Sequence, residues 1–354
     1  MRIGTKRNSA GRISAGRAGL AMALAASAAL AGCSAGGGHA ASAPPVSGPE
    51  QRAITVDAVP TAEECGLYVA QAQGFFRQQG LTVTIRPITG GGAAIPDLQS
   101  GKAQLAAGNY VPFILAQMAG RFGGKPVSLK IIAAGSEIQP GSEALYVMPR
   151  SRYKTVAQLA TGHARIGLDT ADDTGEVLLG ALLQQAGGYS LKDVRQVTPP
   201  RGFSALIGML ADGKIDAALE PQPVGTIAEE TLGAVPLADL DQGSLQDFPF
   251  AGYLGTTGWV RSHPRTVAAF LRALEEGQQV ADTDRAAVEH AMQRLAGLPP
   301  IVTDTMALDS YPTEMDVPQL QRVPDSMFQF GLTPRAKAPY RIAAMIEPEP
   351  GLVS

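Results

Sequence analysis

The sequence predicts an α/β protein of two lobes, each built on a mostly parallel β-sheet with helices on both faces. Short apolar segments typical of strands alternate with segments of helical spacing from Ala53 onward. The same alternation begins again after Tyr153. About 300 residues follow Gln51, which is enough chain for two medium-sized hydrophobic cores.

The N-terminus has the pattern of a signal peptide. It carries five basic residues, which are Arg2, Lys6, Arg7, Arg12 and Arg17. The apolar run that follows, residues 18–31, is shorter than the roughly 20 residues that cross a bilayer. We therefore predict a signal peptide over residues 1–32.

The end of this run resembles a bacterial lipobox. Leu30, Ala31 and Gly32 lead into Cys33, which a lipobox would make the diacylated first residue of the mature protein. Two acyl chains give stable anchoring to membrane lipid. Residues 33–52, rich in Gly, Ala, Ser and Pro, are then a flexible tether. The protein is expected outside the cytoplasm, anchored to the outer face of the cell membrane; an ordinary secretory signal is the alternative.

Charge and cysteine content exclude several classes of protein. All 32 acidic residues follow Cys33 and five of the 29 basic residues precede it, which leaves 24 basic residues and a net charge of −8. A nucleic-acid partner is not expected from such a chain. The only other cysteine is Cys65, so a disulfide framework is excluded and Cys65 is expected to be a half-buried thiol.

The elements of the first lobe follow in order. They are a strand in "AITVDAVP", a helix in "LYVAQAQGFFRQQG", a strand in "LTVTIRPI", a helix in "AAIPDLQSG", a strand in "AQLAAG" and a helix in "VPFILAQMAG". Glycine closes several of these helices, as it commonly does at the position after a helix end.

The second lobe repeats this pattern. Its elements are a helix in "TVAQLATG", a strand in "ARIGLD", a helix in "DTGEVLLGALLQQAGG", a strand in "VRQVTP", a helix in "GFSALIGMLADG" and a strand in "IDAALE". Two β-rich segments, "SEALYVMP" and "FAGYLGTTGWV", are expected to cross between the lobes as a hinge. The first lobe is then 53–144 with 252–345, closed by two late helices, and the second is 145–251.

The order of these segments resembles the periplasmic-type solute-binding proteins of ABC importers. The similar group contains the aliphatic sulfonate, taurine, nitrate and thiamine-pyrimidine binders, the NMT1/THI5-like and SsuA-like proteins. The matching stretches are "LYVAQAQGFFRQQGLTV", "LQSGKAQLAAG", "LYVMPRSRYKTVAQLATGHARIGLD", "LADGKIDAALEPQP" and "WVRSHPRTVAAFLRALEEG". They cover nearly all of the chain that follows the tether.

This resemblance implies a type II periplasmic-binding-protein fold with a two-strand hinge. It also implies capture of one small-molecule solute by closure of the lobes, and delivery to an ABC permease in the membrane. We expect a monomer that uses no cofactor and no metal.

The candidate site lies beyond the carboxyl ends of the strands, where ligands bind in open α/β sheets. Five loops satisfy this rule: 61–66, 89–92, 108–110, 169–175 and 220–223. The candidate ligand-binding residues, which include one tyrosine near the hinge, are Glu63, Glu64, Gly91, Asn109, Tyr110, Asp172, Asp173, Thr174, Glu220 and Tyr253.

Two roles are open for the adjacent acids Asp172 and Asp173. Asp173 and Glu176 have the spacing of a capping box, so Asp173 is expected to cap the helix that follows. Two roles, contact with ligand or a structural role, are likewise open for each of Asn109, Tyr110 and Tyr253.

The charge of these loops favours a nitrogenous or cationic solute, such as an aminopyrimidine or another organic amine. Their acids would oppose a desolvated anion, and no Arg or Lys lies on the five loops. Arg201, which follows a predicted strand, is the residue that could reverse this expectation. Binding of an anion such as an alkylsulfonate, taurine or nitrate is the alternative.

Enzyme functions lack their motifs. The sequence has no G-x-S-x-G and no H-E-x-x-H, and two cysteines cannot form the iron-binding motif of thiamine-pyrimidine synthases, which share this type of fold. A non-enzyme is therefore expected. A lipoprotein that signals through a membrane partner stays open beside transport.

Overall fold

The computed structural model describes residues 48–199 and 203–347. The predicted signal peptide, Cys33, most of the tether and Arg201 lie outside these ranges. The strands are β1 (Ala53–Ala58), β2 (Thr82–Pro87), β3 (Leu105–Asn109), β4 (Arg121–Phe122), β5 (Lys125–Pro126), β6 (Leu129–Glu137), β7 (Glu143–Val147), β8 (Arg165–Gly167), β9 (Arg195–Val197), β10 (Ala217–Pro221), β11 (Val235–Asp239) and β12 (Pro249–Thr256).

Helices connect and cover these strands. They are α1 (Cys65–Gln73), α2 (Phe75–Gln78), α3 (Ile95–Ser100), α4 (Tyr110–Ala119), α5 (Val156–Thr161), α6 (Thr174–Gln185), α7 (Phe203–Ala211), α8 (Val224–Leu232), α9 (Thr257–Ser262), α10 (Pro264–Thr283), α11 (Arg285–Ala291), α12 (Pro300–Thr305) and α13 (Val317–Gln329). In the described ranges, no helix combines the length and hydrophobicity that crossing a membrane requires.

Two five-stranded sheets form the framework. The first has the order β2-β1-β3-β12-β6, in which β1 runs parallel to β2 and β3 while β12 is antiparallel to both of its neighbours. The second has the order β11-β7-β10-β8-β9, in which β8 runs parallel to β9 and β10 and β7 is antiparallel to β10 and β11. This arrangement confirms the two-lobed α/β fold with mostly parallel strands, because in each sheet one strand, β12 or β7, runs antiparallel to the other four.

The chain passes between the sheets twice. Residues 138–142 connect β6 to β7, and residues 240–248 bring the chain back from β11 to β12. The two connections lie side by side, since the Ile138 N–H donates to the Phe248 carbonyl at 3.0 Å and the Gln139 amide donates to Asp247 Oδ1 at 3.0 Å. Paired connections of this kind are the usual place for a hinge. The segments predicted to cross, 142–149 and 250–260, are not the crossings: the first forms β7 within the second sheet, and the second forms β12 and the start of α9 beside the first sheet.

Helix α10 closes the first sheet from outside. Phe270 of α10 stacks on Phe76 with ring centroids 5.2 Å apart, and it meets the edge of Tyr253 of β12 at 6.0 Å. Helices α1 and α10 approach closely because each has a glycine where they cross, Gly66 in α1 and Gly277 in α10. A Cβ on Gly277 would collide with the carbonyl oxygen of Gly66.

Helix α13 packs against elements of both halves. It contacts α4 and β12 of the first sheet and α6 beside the second. Leu320, Val323 and Met327 bury its apolar side, and Arg322 donates to the carbonyl oxygens of Ser244, Gln246 and Asp247 in the second connection. The C-terminal segment therefore ties the hinge region to both lobes.

Two sequence predictions differ from the structure in their bounds. The predicted helix from Leu67 to Gly80 is two helices, because Gly74 between them adopts a left-handed conformation with φ of 82°. The strand predicted over Phe250–Val260 ends at Thr256, where the Thr256 hydroxyl accepts from the Trp259 N–H and begins α9.

Candidate functional site

Loops from the carboxyl ends of the two sheets meet face to face. The Ala62 N–H, in the loop after β1, donates to the Gln222 carbonyl after β10 at 2.8 Å. A Cβ on Gly90, after β2, would lie 3.5 Å from Thr170 Oγ1, after β8. The two lobes are therefore in contact at the place where the sequence predicts the site.

Seven buried carboxyl groups come together at this contact, and we call them the acid cluster. They are Glu63, Glu64, Glu143, Asp169, Asp173, Glu220 and Asp309, each at most 9% exposed. Both halves contribute. Glu63 and Glu64 lie in the 3-10 turn before α1, Glu220 lies in β10, and Asp309 lies between α12 and α13.

Many oxygens of the acid cluster have no hydrogen-bond partner within the described residues. They are Glu64 Oε1, Glu143 Oε2, Asp173 Oδ2, both oxygens of Glu220 and both oxygens of Asp309. Two buried hydroxyls nearby, Ser136 Oγ and Thr174 Oγ1, also have none. A buried polar group without a partner costs about 1–3 kcal/mol, and more when it is charged. The site thus presents several acceptors with no donor to meet them.

Burial raises the pKa of every group in the acid cluster. It brings the pKa of Glu64 to about 8, of Asp309 to about 7 and of Asp169 to about 6. For Asp309 the nearby hydroxyls of Ser142 and Ser136 offset only part of this effect.

Repulsion between the carboxylates acts in the same direction as burial. The pKa of Glu63 is well above its usual value, first through burial and then through Glu64, Glu143, Asp309 and Asp169. Burial and neighbouring acids likewise raise the pKa of Glu143, Asp173 and Glu220 well above normal. The carboxylates therefore interact as one group.

Basic side chains do not compensate this charge in the described part of the chain. The ion pairs found there, such as Arg86 with Asp57 and Arg165 with Asp216, do not include any member of the acid cluster. Desolvated carboxylates that face one another must either bind protons or meet a cation. The acids at the lobe contact are therefore either protonated or in need of a positively charged partner.

Asp173 is the N-cap of α6, as the sequence predicts. Its Oδ1 accepts from the Thr174 N–H at 2.6 Å, while its Oδ2 has no partner. The predicted capping box does not form, because Asp173 accepts from Thr174 instead of Glu176 and Glu176 Oε1 accepts from the N–H of Asp172 instead of Asp173. Asp172 itself is exposed and has a positive φ of 55°. Asp173 is thus buried at the lobe contact, whereas Asp172 faces water.

The remaining predicted residues divide between the site and the core. Gly91 lies against Asn109, since a Cβ on Gly91 would be 3.2 Å from Asn109 Oδ1, which has no partner. Tyr110 is buried with its hydroxyl unpaired and its ring against the backbone of Gly252. Tyr253 lies in the apolar core beneath α10.

A cavity of about 530 Å³ opens beside the acid cluster, and we call it the side chamber. The loop from Thr89 to Ala93 and helix α4 form its wall on the first lobe. Residues 170–173 form its wall on the second. Its volume lies within the usual range of sites for small molecules.

Sequence reasoning missed three members of the acid cluster. Asp169 lies on a loop that the sequence selected, but Glu143 begins a strand and Asp309 lies far along the chain. Glu143 could have been selected from the sequence, because it is an acidic residue in a segment that was predicted to cross between the lobes. Nothing in the local sequence marks Asp309.

Metal binding and thiol chemistry find little support in residues 48–199 and 203–347. These ranges contain no group of three or more His, Cys, Asp or Glu side chains that could hold a metal ion. Cys65 is fully buried, more than the half-buried thiol predicted, and burial raises its pKa to about 12. A thiol with such a pKa is a poor nucleophile at neutral pH.

A family model matches much of the chain. The family described as NMT1/THI5 like matches residues 61–285. No curated protein matches the chain in sequence.

Solved structures share the fold at low sequence identity. The alkanesulfonate-binding protein SsuA from Xanthomonas axonopodis pv. citri, bound to MOPS, is 18% identical with a TM-score of 0.69, covering 83% of this chain and 98% of its own. The periplasmic nitrate-binding protein NrtA from Synechocystis PCC 6803 is 14% identical with a TM-score of 0.68, covering 82% and 84%. The desulfurization enzyme DSZB is 16% identical with a TM-score of 0.63, covering 85% and 97%. The fold is therefore the two-lobed periplasmic-binding-protein fold that the sequence resemblance implied, and both binding proteins and an enzyme use it.

Proposed function

The chain belongs to the NMT1/THI5-like family, and on this premise we propose that it is an extracytoplasmic solute-binding protein of an ABC importer. The solute is a small organic molecule that carries positive charge or several N–H donors, such as an aminopyrimidine or another amine. The lobes 53–144 with 252–345 and 145–251 close over it about the two connections between the sheets.

The acid cluster is the observation that carries this proposal. Carboxylates from both lobes are buried together, and the free oxygens of Glu64, Glu220 and Asp309 need donors. A cation placed between the lobes would supply these donors and would lower the pKa of the surrounding acids. Closure and binding would then be linked, because a bound cation relieves the repulsion between the ionised acids of the two lobes, which otherwise requires proton uptake.

An anionic solute is the second candidate, because SsuA and NrtA, whose folds are similar, bind an alkanesulfonate and nitrate. In this chain an anion would have to enter against the acid cluster. Arg201, outside the described residues, would have to supply the compensating charge. We therefore place the anion second.

We propose that the same site binds its solute without chemistry. Cys65, the one cysteine of the described body, is buried and carries a raised pKa, so it offers no ready nucleophile. Capture and release of an unchanged solute is the simplest use of this arrangement.

Anchoring and delivery complete the proposal. Acylation of Cys33 would hold the body near the membrane on a short tether. This raises its effective concentration at an ABC permease. We propose that the protein works there as a monomer.

The solute class is tested by thermal unfolding of the purified protein at low salt. The panel sets aminopyrimidines and organic amines against alkylsulfonates, taurine and nitrate. A ligand at a hundred times its Kd stabilises by about 2.7 kcal/mol, which gives an easily measured rise in Tm. We expect the nitrogenous half of the panel to raise Tm; a rise confined to the anions would contradict the proposal.

Three variants test which side chains are needed for the rise in Tm that the ligand causes. Glu220→Gln keeps the shape of the side chain but removes its charge, and we expect it to weaken binding of the best amine at least tenfold. Glu230→Gln, an exposed acid on the neighbouring helix α8, is the matched control. Arg201→Gln should leave the amine shift in place; if it instead abolishes a shift caused by an anion, the second candidate is correct.

Anchoring is tested separately through the cysteine of the lipobox-like sequence. Cys33→Ser should move the protein from the membrane fraction to the supernatant and should abolish labelling with a radioactive fatty acid. Equal membrane retention of the variant and the original protein would show that Cys33 is not the anchor.

A further inference from the structure

The side chamber is largely apolar, although it opens next to a cluster of acids. Its walls include Pro96, Pro112, Leu115 and Phe122 from the first lobe, and Ala171 faces them from the second. A solute that consisted only of a charged group would leave this apolar surface unused. The chamber is the right size for a ring or a short alkyl chain.

The polar end of the side chamber is buried and lacks donors. Asp173 lines the chamber, is 1% exposed, and keeps Oδ2 without a hydrogen-bond partner. The next residue, Thr174, is equally buried and its Oγ1 also has no partner. The unpartnered Oδ2 of Asp173, in the wall of the cavity, indicates where a donor of the solute would sit.

The chamber has one basic side chain in its lining, Arg121. Arg121 is exposed, and its guanidinium donates to the Gly124 carbonyl at 2.7 Å within its own hairpin. The Arg121 guanidinium is thus solvated and hydrogen-bonded, whereas the carboxyl group of Asp173 is buried and only its Oδ1 has a hydrogen-bond partner. The electrostatic preference of the chamber is therefore set by Asp173.

We propose that the solute is an amphiphilic amine whose ammonium group lies beside Asp173 and whose alkyl or aryl body fills the side chamber. This inference rests on the proposed function and narrows it, since it requires an apolar body in addition to the positive charge. It makes the side chamber the part of the site that selects among amines.

The apolar body should contribute in proportion to its buried length. Each methylene transferred from water to an apolar chamber raises affinity by up to about fourfold. A series from ethylamine to hexylamine should therefore gain up to about two hundredfold, with no further gain once the chamber is full. Ethylamine alone should bind weakly.

The test is titration calorimetry of the purified full-length protein with n-alkylamines, benzylamine and the matching n-alkylsulfonates. We expect affinity to rise steeply with chain length for the amines and to stay undetectable for the sulfonates. Amines that bind equally at every length would overturn the side-chamber inference and leave the proposed function standing. Sulfonates that bind with a steep length dependence would overturn both.

A filling variant assigns the length dependence to the chamber. Ala93 is exposed and lines the chamber, so Ala93→Leu narrows it without disturbing the core. We expect this change to weaken the binding of hexylamine at least tenfold more than the binding of ethylamine. The control Ala286→Leu, at an exposed position of α11, should have no such effect. An unchanged amine series in Ala93→Leu would place the solute elsewhere.

Discussion

Asp309 gives the sharpest test of the acid cluster, because the free energy by which its burial destabilises the folded protein can be calculated. The side chain is 5% exposed, and neither oxygen has a hydrogen-bond partner in the described chain. Its pKa rises from 3.8 to about 7, mainly through burial. An acid whose pKa is raised by folding destabilises the folded state once the pH exceeds its unfolded value, and the loss is complete above its folded value. With about 1.4 kcal/mol for each pKa unit, Asp309 costs at most about 2 kcal/mol at pH 5 and about 4 kcal/mol at pH 8.

Asp309→Asn removes this charge at constant size. We expect the ligand-free variant to unfold at higher urea concentration than the original protein, with a gain at pH 8 about twice that at pH 5. Asp304→Asn, at an exposed acid a few residues earlier, is the control and should change stability little at either pH. Equal or lower stability of Asp309→Asn at pH 8 would refute the view that these acids are held under electrostatic strain.

Three further predictions concern stability. The free energy of unfolding of the ligand-free protein should fall from pH 5 to pH 8, because the acid cluster holds protons when folded and releases them on unfolding; a flat or rising urea midpoint would contradict this. Gly252→Ala forces a methyl group against the Tyr110 ring and should cost about 1–3 kcal/mol in urea unfolding, while Gly258→Ala, with open space around it, should not destabilise. Arg86 donates to the fully buried Asp57 at 2.7 and 2.8 Å, and Arg86→Met leaves that carboxylate without its cation. We expect the free energy of unfolding to fall by about 3–5 kcal/mol. A fall below about 1 kcal/mol would show that the ion pair contributes little.

The alternation of strands and helices could be predicted because it depends on local patterns. Strands β1, β2 and β3 begin and end near the predicted residues, since each is a short apolar run bounded by Gly or Pro. Strand β6 was missed because its nine residues follow a hairpin without clear alternation. Helix α13 was missed because it contains Pro318 and Pro324, which in isolation indicate a break. In the folded protein Pro324 is buried with the apolar side of α13, so tertiary packing outweighs the lost hydrogen bond.

The site could be predicted only in part. Glu63, Asp173 and Glu220 were found because ligands gather at the carboxyl ends of strands, a rule that needs only the order of elements. That they would be buried together could not be read from the sequence. It depends on how closely the two lobes approach. Asp309 joins them from the segment between α12 and α13, far along the chain, whereas the ring of Tyr253 packs in the apolar core against Phe270.

Proton release on binding tests the central claim most directly, namely that the contact between the lobes is built for positive charge. Titration calorimetry at pH 7 in two buffers of different ionisation enthalpy measures the protons exchanged when the best amine, or ethanesulfonate, binds. The account predicts that an amine binds and releases protons, because a cation lowers the pKa of carboxyl groups such as Glu64 and Asp309, which have pKa values of about 8 and 7 without it. Binding of ethanesulfonate with uptake of protons, and no binding of any amine, would contradict it.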